Sequence, residues 1–128
     1  MARYLLDTNI LIMALDYGKR LTAAQNRLLT DPSSDLCVSA ISVWEMAIKW
    51  RKGKLMMTVA PPVCLPVIQA LGVEVIPLTA AQAILDPNLG RDPKDPFDRM
   101  IVAVAEQLEI PFVTTDRALL DHPLAWRP

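Results

Sequence analysis

Short apolar segments alternate with longer segments of helical spacing along the whole chain, and this alternation constrains the fold more than any other feature. Each short segment has the length of a buried strand and is bounded by charged or turn-forming residues. Four segments are predicted as strands, at residues 3–7, 36–39, 73–76 and 110–115, with a further short edge strand at 124–126. Between them, helices are predicted at residues 9–15, 22–30, 41–52, 62–71, 79–85 and 96–108. Strands that alternate with helices in this way favour a parallel sheet covered on both faces, hence an α/β fold.

The chain of 128 residues is expected to form a single domain over residues 1–128. No apolar run reaches the roughly 20 residues that a membrane span needs, and Asp7 comes too early for a signal peptide, so we expect a cytoplasmic protein. Cys37 and Cys64 lie among aliphatic residues without metal-ligand spacing, which favours buried free thiols. Hydrophobic residues make up 52% of the chain, a surplus that leaves room for an apolar contact with a partner or a second copy.

Two acids stand where predicted strands end. Asp7 closes the first apolar run and Asp116 follows a later one, in the sequence Val-Thr-Thr-Asp. In open α/β sheets the functional crevice lies outside the carboxyl ends of the strands, so these carboxylates would face each other if the strands are neighbours. Either acid could instead cap the helical turn that follows it. A cluster of like charges is stabilised by a divalent cation, and Mg²⁺ and Mn²⁺ prefer carboxylate oxygens.

Glu45 allows two interpretations. Ser42 and Glu45 have the spacing of a capping box, in which Glu45 would serve the start of a helix. If Ser39 is the cap, Glu45 instead lies nearly two turns inside the helix among apolar neighbours, where a solvated surface role is hard to explain.

The stretch from Asp92 to Arg99 carries an aspartate at every third position before an apolar helix. Asp92 precedes a proline and is predicted to be an exposed loop residue. Asp95, followed by Pro96, fits the N-cap of the helix. Asp98 then stands in the first turn, where it could serve the helix dipole or bind a metal ion.

A net charge of −1 excludes a strongly basic nucleic-acid binder, so any contact with nucleic acid must be local. One basic cluster contains Lys49, Arg51, Lys52 and Lys54. Cations in the last turn of a helix that ends at Gly53 favour the helix dipole, so the cluster could be a solvated helix end. The alternative is a contact with a nucleic-acid backbone, together with Arg99.

Four blocks in this order resemble the PIN-domain proteins, and in particular the VapC-type toxin ribonucleases of toxin–antitoxin pairs. They are Leu-Leu-Asp-Thr-Asn-Ile-Leu-Ile, Ser-Ala-Ile-Ser-Val-Trp-Glu-Met-Ala-Ile-Lys, Asp-Pro-Phe-Asp-Arg-Met-Ile-Val-Ala and Val-Thr-Thr-Asp. The resemblance extends from Tyr4 to Asp116. It implies a three-layer α/β/α sandwich around a parallel sheet of about five strands.

The resemblance also implies an activity. Asp7, Glu45, Asp98 and Asp116 match the family's acidic site, which binds Mg²⁺ or Mn²⁺ and cleaves RNA with a metal-activated water. Asn9 and Thr115 match polar positions that support such a site by hydrogen bonds. Toxins of this type form homodimers and are inhibited by a small antitoxin protein, whose C-terminal segment blocks the acidic site.

The chain departs from close relatives at two points, and two other functions stay open. Gln82 stands where a histidine is frequent, and Arg91-Asp92-Pro93 replaces another frequent histidine; His122, the only histidine, is expected at the surface. An aspartyl-nucleophile phosphohydrolase also places an acid after its first strand, but commonly needs a second acid where Asn9 stands. A non-catalytic, degenerate PIN-like or receiver-like interaction module is the third possibility.

Overall fold

The computed structural model describes residues 2–87, 89–91 and 94–128. Its four strands are β1 (Arg3–Leu6), β2 (Asp35–Ser39), β3 (Val73–Ile76) and β4 (Phe112–Val113). They form one sheet in the order β3-β2-β1-β4, and every pairing is parallel. The predicted parallel α/β architecture is confirmed, with four strands in place of about five.

The last predicted strands are shorter than expected for a local reason. The start of the predicted strand 110–115 belongs to the end of the helix Pro96–Leu108 instead, because the Ile110 N–H donates to the Ala105 carbonyl (3.1 Å). The end of this predicted strand forms a turn, because the Asp116 N–H donates to the Thr114 hydroxyl (3.0 Å). Only Phe112–Val113 remains extended, and the expected edge strand at 124–126 is reduced to one parallel bridge between Phe112 and Ala125.

Six α-helices connect and cover the described part of this sheet: α1 (Thr8–Leu15), α2 (Ala23–Thr30), α3 (Ala40–Arg51), α4 (Cys64–Ala70), α5 (Ala80–Ala83) and α6 (Pro96–Leu108). Two 3₁₀ turns, Pro61–Val63 and Arg117–Leu119, precede α4 and follow β4. No helix in the described ranges is long and apolar enough to cross a membrane.

Alternation along β1 divides the core between the two faces of the sheet. Leu5 packs with Phe112 and with the apolar stripe of α6. Leu6 packs on the opposite face with residues of α1 and α4. Helix α3 contacts both α1 and α6. Its side chains can therefore reach the end of the sheet at which α1 begins.

The residues at which α3 and α6 begin determine the positions of Glu45 and Asp98 within these helices. Ser39 caps α3, accepting from the Ile41 N–H (3.2 Å), so Glu45 lies in the second turn. The interpretation of Ser42 and Glu45 as a capping box is therefore wrong. Asp95 caps α6, accepting from the Phe97 N–H (2.9 Å), and Asp98 is in the first turn, as predicted.

His122 corrects another expectation, because it is buried with only 8% of its surface exposed. Its Nδ1 accepts from the Leu124 N–H (3.0 Å), and its Nε2 lies 3.2 Å from Glu106 Oε1. Its ring packs against Phe112 with centroids 5.5 Å apart. The C-terminal segment folds back over β4 and encloses the ring, which a local sequence pattern could not indicate. Cys37 and Cys64 are buried and free, as predicted.

Candidate active site at the carboxyl ends of β1 and β4

Asp7 and Asp116 stand at the same end of two neighbouring strands. Leu6 pairs with Val113, and the Asp7 N–H donates to the Val113 carbonyl (3.0 Å). Asp7 directly follows β1, and Asp116 follows β4 after two threonines. The carboxyl ends of parallel neighbours lie at the same edge of a sheet, so the condition for a shared crevice is met.

Both acids are also helix caps. Capping a helical turn and standing at the edge of the crevice are therefore compatible for each residue. Asp7 Oδ1 accepts from the Ile10 N–H at the start of α1 (2.8 Å). Asp116 accepts from the Ala118 N–H at the following 3₁₀ turn (2.9 Å). The Thr114 hydroxyl donates to Asp7 and accepts from the Asp116 N–H, which ties the two acids together.

Glu45 reaches the same region from the second turn of α3. The residue is 3% exposed. Its Oε1 accepts from the Thr8 hydroxyl (2.5 Å), and that hydroxyl lies 3.0 Å from the Ser42 hydroxyl. Its Oε2 pairs with the ammonium of Lys49, one turn further along the helix. Glu45 is therefore held by partners on both oxygens.

The electrostatics show that the acids share one environment. Burial raises the pKa of Asp7 to about 6, although hydrogen bonds lower it, and Glu45 adds to the rise. Burial also raises the pKa of Asp98 to about 7. Four further acids contribute to the rise at Asp98, in decreasing order Asp95, Glu45, Asp116 and Asp7.

The donor chemistry fits a hard divalent cation, because the cluster offers carboxylate oxygens and no sulfur. Within the part of the chain that the structure describes, no three acidic, histidine or cysteine side chains are grouped closely enough to surround one ion. Mg²⁺ is commonly bound by one or two carboxylates with waters completing the coordination, so a closed cage is not required. One or two of the predicted ligands Asp7, Asp98 and Asp116, together with waters, would be enough to hold it.

The supporting residues predicted from the family pattern are only partly placed at the site. Thr115 donates its backbone N–H to Asp7, while its side chain is exposed. Asn9 is exposed in the first turn of α1. Arg99 pairs with Asp86 (3.2 Å). Asp92 lies outside the described residues.

The predicted basic cluster divides into two parts. Arg51, Lys52 and Lys54 are exposed at the end of α3. Gly53, with φ of +70°, closes that helix, and the Lys54 N–H donates to the Lys49 carbonyl (2.9 Å), as expected for a Schellman cap. The ammonium of Lys49 instead faces Glu45.

Three buried hydroxyl residues that the sequence analysis did not single out belong to the site: Thr8, Ser42 and Thr114. Each is at most 5% exposed. A signal for them was present, because each stands within three residues of a predicted acid. Polar residues so placed in apolar segments must find a hydrogen-bond partner when they are buried.

One cavity in the described part of the structure lies away from these acids. It has a volume of about 650 Å³ and is lined by residues near the starts of β2 and β3, including Leu36 and Val73, and by Tyr17 and Leu21. No member of the acidic cluster lines it.

Comparisons with known proteins identify the family and the fold. A family model described as the PIN domain matches residues 4–123. Among solved structures, a toxin–antitoxin complex from Klebsiella pneumoniae is similar at 21% identity, with a TM-score of 0.60, over 98% of this chain and 97% of that one. VapBC2 from Rickettsia felis, bound to a promoter DNA fragment, is similar at 18% identity with a TM-score of 0.65, over 96% and 95%. The structure of FitAB bound to the IR36 DNA fragment is similar at 24% identity with a TM-score of 0.53, over 88% of this chain and 85% of that one.

No curated protein sequence matches the chain significantly. The structural neighbours share under a quarter of their residues with this chain, so they establish the fold and not the activity. The family match covers nearly the whole chain. PIN domains are in general nucleases, which accords with an acidic edge at the carboxyl ends of a parallel sheet. The chain therefore belongs to the PIN domain family.

Proposed function

We propose that this protein is a metal-dependent endoribonuclease and the toxin of a toxin–antitoxin pair. The observation that carries the proposal is the convergence of Asp7, Glu45, Asp98 and Asp116, taken from four separate elements, on one edge of a PIN fold. Residues 1–128 would act as one domain. Its cofactor would be Mg²⁺ or Mn²⁺, its substrate RNA, and its location the cytoplasm.

The raised pKa values of Asp7 and Asp98 support a cation site. Without a cation, both carboxyl groups hold their protons at a pH where an exposed aspartate has lost them. A divalent ion removes the cost of ionising them, because it compensates the charges that burial and crowding disfavour. The cluster thus has the electrostatics of a site that exchanges protons for a metal ion.

The chain's own residues would divide the work. Asp7, Asp98 and Asp116 would hold the ion beside the scissile phosphate. Glu45, held by Thr8 and Lys49, orients the attacking water. The ion, when bound, activates that water and stabilises the charge developing on the phosphoryl group. Asp7 already accepts from Ile10, Thr114 and Thr115, which favours a fixed ligand over the nucleophile of a phosphohydrolase.

Substrate and partner surfaces follow from what is exposed. Arg51, Lys52 and Lys54 would contact the RNA backbone, with Arg99 nearer the acids. Several large apolar side chains are exposed, among them Met56 (95%) and Ile84 (84%). They support contacts with a small antitoxin protein and with a second copy in a homodimer. The structural neighbours from toxin–antitoxin complexes also support an antitoxin as the partner.

RNA cleavage by the purified protein, with and without Mn²⁺, tests the proposal. Wild-type protein should cleave a single-stranded RNA only with the metal, and Mn²⁺ should raise its melting temperature, because a ligand of the folded state stabilises it. Asp7→Asn and Asp98→Asn should each lose cleavage while remaining folded. Asp121→Asn, the same change at an exposed aspartate, is the matched control and should cleave as wild type does.

Two outcomes would reject the proposal. Cleavage retained by both active-site variants would assign the activity to other residues or to a contaminant. Wild-type protein that neither cleaves RNA nor gains stability from Mn²⁺ would indicate a non-catalytic, degenerate PIN-like module instead.

A further inference from the structure

Lys49 belongs to the acidic site and not to the basic cluster that surrounds it in the sequence. It stands four residues after Glu45 on α3, and the two side chains form an ion pair. The Glu45 side chain is 4% exposed, whereas that of Lys49 is 41% exposed. The lysine therefore extends its ammonium from the surface onto a carboxylate that water hardly reaches.

The pair explains how Glu45 can be buried as a charged group. A buried carboxylate without a compensating charge is strongly destabilising, and one neutral hydroxyl does not supply that charge. The Thr8 hydroxyl serves Oε1, and the Lys49 ammonium serves Oε2. Both acceptor atoms of Glu45 are engaged within the chain itself.

The influence of Lys49 extends beyond Glu45 to the start of α6. The hydrogen bond with Glu45 raises the pKa of Lys49, and the charges of Asp95 and Asp98 add to the rise. The ammonium therefore pairs with Glu45 and lies within electrostatic reach of two acids at the start of α6, one of which is the predicted metal ligand Asp98.

We propose that Lys49 is a positioning residue that acts as the resident cation of the acidic site. Its ammonium neutralises Glu45 and the acids of α6 when no divalent ion is bound, and it lowers the affinity of the site for that ion. This inference rests on the proposed function, because the ion whose affinity is tuned is the one that the nuclease would use.

The physical consequence has a definite sign. A divalent ion entering the cluster is repelled by the ammonium and must compete with it for the carboxylates. Replacing Lys49 by methionine keeps a long flexible side chain but removes the positive charge. The cluster becomes more negative, so the divalent ion should bind more tightly even though the metal-free protein is less stable.

Direct binding of Mn²⁺ to the purified full chain, measured calorimetrically at low ionic strength, tests this. Lys49→Met should bind Mn²⁺ about tenfold more tightly than wild type, since one unit charge is removed from beside the cluster. Lys49→Arg keeps the charge and should bind within about twofold of wild type. Lys19→Met, the same change beyond the far end of α1, is the matched control and should leave the affinity unchanged.

Thermal unfolding in EDTA supplies a second readout. Lys49→Met should melt below wild type, because Glu45 loses its compensating charge. In a Glu45→Gln background the same substitution should cost much less, which is the coupling expected of a buried pair. If Lys49→Met alone does not fold, Mn²⁺ binding is compared between Glu45→Gln and Glu45→Gln/Lys49→Met. The double variant should still bind more tightly, because the charge of Lys49 also acts on Asp95 and Asp98 through space.

The outcomes separate this inference from the proposed function. If wild type binds Mn²⁺ and cleaves RNA while Lys49→Met binds Mn²⁺ no more tightly than Lys19→Met, the role of Lys49 is refuted and the nuclease stands. A purely structural lysine would lower the melting temperature and leave the affinity unchanged or weaker. If wild type binds no Mn²⁺, both proposals fail together.

Discussion

Replacing Asp98 by asparagine should stabilise the metal-free protein above neutral pH. Asp98 is half-buried and its pKa is raised from 3.8 to about 7 by burial and by four neighbouring acids. A carboxyl group with a raised pKa in the folded state binds its proton more tightly there than in the unfolded chain. Stability therefore falls as pH rises from about 4 to about 7, and the full penalty is present above that window.

The size of the effect follows from the shift and the exposure. A rise from 3.8 to about 7 corresponds to about 4 kcal/mol at full strength. Because Asp98 is half-buried, water screens much of this, and we expect about 1–2 kcal/mol. Asparagine also loses the favourable contact of a carboxylate with the helix start, worth about 0.5 kcal/mol. The net gain should be about 1 kcal/mol, or about 4 °C in melting temperature for a chain of this size.

Thermal unfolding in EDTA at pH 4 and pH 8 measures the stability difference between Asp98→Asn and wild type. The difference between Asp98→Asn and wild type should be small at pH 4, where the carboxyl group is protonated, and should reach its full value at pH 8. Asp121→Asn is the control for the chemical change itself. A variant that is no more stable than wild type at pH 8 would refute the electrostatic reasoning, because it would show that Asp98 ionises in the folded protein without cost.

Two further substitutions test the hydrogen-bond network. Thr8→Val should lower the free energy of unfolding in urea by about 1–3 kcal/mol, because buried Glu45 loses the donor on Oε1; Thr8→Ser keeps the hydroxyl and should cost less, and equal losses for the two would exclude that bond as the cause. His122→Leu should cost about 1–3 kcal/mol by the same assay, because the Leu124 N–H loses its acceptor and Glu106 loses one partner. An unchanged midpoint for His122→Leu would show that burial of the ring contributes nothing net.

Much of the fold was predictable because its signals are local. The strand Val73–Ile76 and the helix Pro96–Leu108 lie where the apolar spacing and the cap Asp95-Pro96 predict them. The end of α3 at Gly53 follows from a residue that adopts positive φ without cost. The expected strand at 110–115 shrank because its flanking residues serve the end of α6 and the turn after β4, and apolar content alone cannot show that competition.

The positions of the candidate acids along the chain could be read from the sequence, but the groups that hydrogen-bond to them could not. Asp7 and Asp116 stand at strand ends, which a sequence shows directly. That Thr114 joins them depends on β1 and β4 being neighbours across more than a hundred residues of chain. Glu45 stayed ambiguous because a capping box and a buried acid have the same local pattern, and only the cap at Ser39 decides between them.

The sequence by itself determined the alternating strands and helices, the helix caps and which carboxylates stand at the ends of elements, because each depends on residues only a few positions apart. The tertiary structure alone decided that four of those carboxylates share one environment, that the ammonium of Lys49 pairs with Glu45, and that His122 is buried. These are questions of charge and burial. Their answers depend on which distant group enters the same poorly solvated space, and no local pattern specifies that group.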